Sequence, residues 1–176
     1  MLKFDERKLV DLVRNKISVD QLEIGLLKIG SRYDLIDIFE ITDIYIQDVN
    51  INSDNSENDN LTIKERLAKL EKLNGWIHLA GGLSCRIQNQ LIANLRLTKK
   101  YIEPISNFKR DDIIKFHGNP DYELVDDYAH GGFDYAIDNY ILVYNNKKLN
   151  FYLDPIQENL TEIDTAKLDM KYFTLR

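Results

Sequence analysis

A chain of 176 residues that is 44% hydrophobic and 30% charged can bury the core of one ordinary globular domain. Its 29 Asp and Glu against 23 Lys and Arg leave a formal net charge of -6, a field that repels nucleic acid and anionic membrane and draws basic proteins. Cys85 is the single cysteine, which excludes an internal disulfide and fits a reducing compartment. The opening residues Met1 to Glu6 carry acids where a signal peptide would be continuously apolar, and no apolar run has the length of a bilayer, so the expectation is a cytoplasmic protein.

The pattern along the chain predicts an α+β fold, an antiparallel sheet or meander with helices packed on it and a helical N-terminal third. Leu9, Leu12, Val13 and Ile17 recur at helical spacing after Asp5, a candidate cap. Ser18 and Gln21 form a capping-box pattern that predicts a second helix, with Leu22, Leu26 and Ile29 on one face and Gly30 as its stop. Residues 35–49 are rich in Ile, Phe, Tyr and Val and predict one or two strands. Residues 50–60 are polar but for Ile51 and predict a loop. The expectation is a single domain over residues 1–176, with possible sub-lobes 1–50 and 61–176 joined by the loop 51–60.

Thr62 and Glu65 make another capping box, and Ile63, Leu67 and Leu70 share a helical face behind it. Residues 83–87 and 91–97 predict two strands around the polar break Gln88-Asn89-Gln90. Ser106 is the expected cap of a short helix carrying Ile113, Ile114 and Phe116, stopped by Gly118 and Pro120. Strands are expected at 133–137, 140–144 and 148–153, with Asp138-Asn139 and Asn145-Asn146 at the turns, Pro155 ending the meander, and a last strand at 171–175. The segments beginning at Gly81-Gly82 and Gly131-Gly132 share a Gly-Gly entry, an apolar strand and an Asn turn. Repeated hairpin grammar explains this more simply than duplication.

No familiar catalytic or metal-binding constellation is present, and no cofactor or metal is expected. His78, His117 and His130 lack metal-ligand spacing, and structural roles account for them; His117, in the last turn of a helix, is placed to put positive charge on the free carbonyls. Cys85 reads as a small core residue of a strand in preference to a nucleophile. His130-Gly131-Gly132 resembles an esterase oxyanion loop, but the matching Gly-x-Ser-x-Gly fails at Arg86. The basic residues Arg96, Lys99, Lys100, Lys109, Arg110 and Lys115 cluster in sequence and read as solvated surface. Between Lys115 and Lys147 there is no Lys or Arg. This interval holds the expected partner-binding residues Asp121, Tyr122, Glu123, Asp126, Asp127, Tyr128, Asp134, Tyr135 and Asp138. Tyrosines there would supply stiff contact area and carboxylates would steer and pair with a partner's cations.

With its acidic, tyrosine-rich stretch, few Gly and Pro, and the segment Ile113-Ile114-Lys115-Phe116-His117-Gly118-Asn119-Pro120-Asp121, the chain resembles the small acidic immunity proteins of bacterial toxin–immunity pairs, including contact-dependent growth inhibition. The segment is similar to a helix ending in Phe-Gly-x-Pro-Asp ahead of a β-meander, with His117 inserted between Phe116 and Gly118. The resemblance implies a toxin inhibitor that binds a cognate protein toxin, often a nuclease with a basic active-site cleft. The alternatives are a small cytosolic enzyme using a His, Cys and carboxylate site, or a general protein-interaction domain.

Overall fold

The computed structural model describes residues 2–47, 61–126, 139–168 and 174–175. Among these residues nine strands form one sheet: β1 (Ile41–Gln47), β2 (Asn74–Leu79), β3 (Leu83–Gln88), β4 (Leu91–Leu97), β5 (Tyr122–Asp126), β6 (Asn139–Tyr144), β7 (Leu149–Leu153), β8 (Leu160–Asp164) and β9 (Thr174–Leu175). The order across it is β1-β2-β3-β4-β8-β7-β6-β5-β9, with every pairing antiparallel. Two four-stranded meanders thus lie in one sheet and meet last strand to last strand, β4 against β8. Three α-helices of eight residues are described: α1 (Glu6–Val13), α2 (Ile63–Leu70) and α3 (Arg110–His117). The fold is therefore mixed α+β. Among the described residues no helix is long and apolar enough to cross a membrane.

The helix starts follow local chemistry. The Asp5 carboxylate accepts from Arg7 N–H at 3.0 Å to open α1, and Asn15, at φ 57, closes it, so the helix stops before Ile17. Thr62 and Glu65 satisfy each other's neighbourhood reciprocally at α2, the Thr62 N–H donating to Glu65 Oε2 at 2.8 Å and the Glu65 N–H to Thr62 Oγ1 at 3.3 Å.

The N-terminal third is only partly helical. The Ser18–Gln21 box forms, with Ser18 N–H donating to Gln21 Oε1 at 2.9 Å, but it opens a single 3-10 turn over Val19–Gln21 and no helix follows. Gly25 takes φ +63, which breaks helical geometry, and Ile24 and Leu27 instead exchange backbone hydrogen bonds across a tight turn. Leu22, Ile24 and Leu27 are buried while Leu26, on the expected apolar face, is 75% exposed. Residues 35–40 likewise run through 3-10 turns, and only 41–47 form a strand.

The Gln88-Asn89-Gln90 break is a tight hairpin with Asn89 at φ 51 and Gln90 at φ 65. At α3 the expected cap is displaced. The Ser106 hydroxyl donates to Glu103 O within a 3-10 turn, and the helix starts at Arg110, where Asp112 accepts from the Lys109 N–H at 3.2 Å. Gly118 ends the helix at φ +82 as expected. Pro155 does not end the sheet, because β8 follows it. Strands β2 and β5 also arise where none was expected. The strand expected at 133–137 and the loop 51–60 lie outside the described residues.

One face of the sheet, the inner face, carries the main core, in which Leu12 of α1, Leu70 of α2 and Ile113 of α3 pack with Ile77, Leu95 and Phe151 of the strands. The outer face differs between the two meanders. Over β5, β6 and β7 it carries a second apolar cluster of Leu124, Ile141, Val143 and Tyr152 with Leu168 against it. Over β1 to β4 it is polar and half-exposed. The free edge of β1 is closed at its middle. Ile44 N–H donates to Asp43 Oδ1 at 2.8 Å, Ile44 O accepts from Arg66 Nη1 at 3.2 Å, and Arg66 pairs with Asp43 at 2.9 Å.

Candidate functional site

Of the residues expected to bind a partner, Asp121, Tyr122 and Glu123 come together at the start of β5. They line a hollow of about 530 Å³ with Arg110, Tyr140 and Glu158. Arg110, in the first turn of α3, donates from Nη2 to both Glu123 oxygens at 2.9 Å and from Nε to Tyr140 Oη at 3.1 Å. Glu123 is thereby neutralised within the fold. Asp121 accepts from the Asn146 N–H at 3.3 Å, and Tyr122 is 41% exposed at the rim. Asp126 lies in β5 opposite Asn139. Asp127, Tyr128, Asp134, Tyr135 and Asp138 lie outside the described residues. The interval's other described tyrosines turn inward. Tyr140 and Tyr144 are buried, and burial pushes the Tyr144 hydroxyl up to about 12 while it donates to Gly118 O at 2.9 Å.

The basic residues that cluster in sequence disperse in space. Arg110 holds Glu123, Arg96 points from β4 to Glu162 of β8, and Lys99, Lys100, Lys109 and Lys115 are exposed.

A second hollow, of about 480 Å³, lies on the outer face of the first meander and has no precursor in the sequence reading. Sheet register builds it. Asp43, His78, Ser84, Arg96 and Asp164 stand in one row across β1, β2, β3, β4 and β8, and Tyr45, Trp76, Arg86 and Asn94 form the next row. His78 Nδ1 lies 2.8 Å from Ser84 Oγ, and burial lowers the pKa of the ring, which keeps it neutral. Arg96 makes a two-pronged pair with Glu162, with Nη2 3.0 Å from Oε2, and its guanidinium sits 5.7 Å from the centre of the Tyr152 ring. Beside it Asp164 is buried, and burial pushes its carboxyl up to about 7. Asp164 Oδ1 and the Oδ1 of its register partner Asn150 both lack a hydrogen-bond donor among the described residues. The residues that line it, Tyr45, Trp76, His78, Ser84, Arg96, Thr98 and Glu162, are scattered from 45 to 162, and β2 lacks the β-branched run that marks a strand. Alternation at Trp76, His78 and Ser84 was the one available signal.

Cys85 faces the core of β3, and burial raises its thiol to about 12, so it stays protonated. His117 departs from expectation. Rather than presenting charge to the end of α3, it is buried, donates through Nε2 to Val13 O at 2.9 Å, and is depressed to about 4 by burial and then by Lys147. The ring is neutral and ties the C-terminus of α3 to that of α1. Lys147 Nζ donates to His117 O at 3.0 Å and occupies the place at the helix end that the imidazole was expected to fill. His130 lies outside the described residues.

No family model matches the chain, and no curated protein and no solved structure matches it.

Proposed function

We propose that this protein is an immunity-type inhibitor that binds a cognate bacterial toxin, of the nuclease class, and covers the toxin's basic substrate cleft. The observation that carries the reading is the charge balance of the hollow at β5. It sets Asp121, Glu123 and Glu158 against Arg110, and Arg110 is spent on Glu123. Asp121 and Glu158 remain exposed and available to a partner's lysine or arginine. Tyr122 beside them offers the rigid aromatic area that anchors protein interfaces. The overall charge of -6 would speed the encounter with a basic partner.

The test uses the polypeptide encoded immediately upstream in the native genome. Co-expression should protect cells from it, and purified proteins should associate at a rate that falls steeply with salt. Asp121→Lys with Glu158→Lys should slow association by roughly tenfold or more at low salt. An association rate indifferent to both changes and to salt removes the steering argument. Failure to bind or protect against that polypeptide removes the inhibitor reading.

A further inference from the structure

The outer hollow stands on the opposite face of the sheet from Glu123 and has a different chemistry. At one end it is lined by Tyr45 and Trp76, register partners on β1 and β2, Tyr45 being 49% exposed. At the other end stand Arg96 of β4 and Glu162 of β8. These two are the only charged side chains among the described lining residues, and each is matched by the other. The uncharged polar atoms are open. Tyr45 Oη, Trp76 Nε1 and His78 Nε2 hydrogen-bond to no described residue. Ser84 and Thr98 add a hydroxyl each between the two ends. A guanidinium has five N–H donors, and the pair with Glu162 takes only Nε and Nη2 of Arg96.

An ion entering this hollow would have to break the Arg96–Glu162 pair, and a wholly apolar ligand would strand the open donors and acceptors. The ligand that fits is uncharged, carries donors and acceptors close together, and has one apolar face. We propose that the hollow binds a neutral carbohydrate, with a sugar ring lying on Trp76 and Tyr45 and hydroxyls reaching His78, Ser84 and the Arg96–Glu162 pair. The C–H groups on one face of a sugar ring are slightly positive and match the negative face of an aromatic ring. Neighbouring sugar hydroxyls suit the ion pair, one accepting from the guanidinium and the next donating to the carboxylate. Three strand spacings separate β2 from β8, about 14 Å, which exceeds one sugar ring and accommodates two linked rings. The hollow's volume of about 480 Å³ is in the range of small-molecule sites. The proposal is independent of the inhibitor reading, which rests on the hollow at β5.

Because Trp76 is the only tryptophan in the chain, its fluorescence reports on this hollow alone. The purified chain is titrated with glucose, galactose, mannose and N-acetylglucosamine, and with maltose, cellobiose and lactose. Sorbitol, which has the hydroxyls without the ring, and adenine, which has a flat ring without hydroxyls, are the controls. A saturable change in emission with at least one disaccharide, with a dissociation constant between about 0.1 and 10 mM, is expected. Tyr45→Ala and Ser84→Ala should each weaken binding by about fivefold or more, and Tyr45→Phe, which keeps the ring, should lose less than Tyr45→Ala. Tyr45 is exposed, so its variants decide the matter if Ser84→Ala does not fold. The proposal is overturned if no sugar changes the emission at about 100 mM. It is equally overturned if sorbitol or adenine binds as tightly as the best sugar, or if either folded alanine variant binds that sugar like wild type.

Discussion

Replacing Asp164 by Asn should turn a nearly level dependence of stability on pH into a rising one. The Asp164 carboxyl is 7% exposed, and its proton affinity moves from the ordinary 3.8 to about 7. A carboxyl that holds its proton longer when folded stabilises the fold fully below the unfolded value, and that contribution is lost as pH rises through the folded value. Three pKa units correspond to about 4 kcal/mol, lost between roughly pH 4 and pH 7. His117 works in the opposite sense. Its ring falls from 6.5 to about 4 on folding, so its contribution is present above the unfolded value and lost as pH drops, by about 3 kcal/mol over the same window. Together the two slopes largely cancel in the wild type. Asp164→Asn leaves only the His117 slope and places an amide opposite Asn150 Oδ1, which lacks a donor. Urea unfolding followed by circular dichroism at about pH 4.5, 6 and 8 measures the difference directly. The stability of the variant relative to wild type should rise by about 3 kcal/mol between pH 4.5 and pH 8. A difference between the two proteins that does not change with pH refutes a buried neutral Asp164.

His117 itself should stay neutral in the folded protein at pH 5, where an exposed histidine is charged, and an NMR titration of its ring protons would detect early protonation as an apparent pKa near 6.5. Arg66→Ala should uncover Ile44 O and free Asp43 on the β1 edge, giving concentration-dependent self-association in sedimentation velocity. A variant that stays as monodisperse as wild type shows that the clip does not guard the edge. Gly75→Ala would drive a Cβ into Tyr45 O and to 2.7 Å from Leu70 Cδ2, and should lower stability by about 1–3 kcal/mol in chemical denaturation; wild-type stability would mean that β1 and α2 yield freely there.

What could be read from the sequence was local. Asp5, the Thr62 and Glu65 box, the Asn89 turn and the Gly118 stop each act within a few residues, and each holds in the fold. The Ser18 and Gln21 box is equally local and forms as written, yet Gly25 two turns later overrules the helix it announces. Strand β8 follows Pro155 after a turn in which the Asp154 carboxylate accepts from the Ile156 and Gln157 N–H groups, so proline opened a hairpin there and did not close the sheet. Tyrosines within the acidic interval look alike in sequence. Only the register separates Tyr122, on the rim, from Tyr140 and Tyr144, in the core. The Trp76 hollow was illegible for the same reason. Its row is set by which strands become neighbours, and the β4–β8 junction joins residues 68 positions apart, Arg96 and Asp164.

That junction is narrow. Inside the two meanders each neighbouring pair of strands shares at least four register pairs, whereas β4 and β8 share only Arg96 with Asp164 and Leu97 with Ile163. Thr165 extends it by one stitch, its N–H donating to Leu95 O at 2.9 Å and its Oγ1 accepting from Leu95 N–H at 2.7 Å. A sheet joined by so few rungs bends most easily along that seam, and the Arg96–Glu162 pair is a rivet driven across it. Removing either half of that rivet would loosen the seam between the two meanders, which runs directly beneath the hollow that Arg96 and Glu162 line.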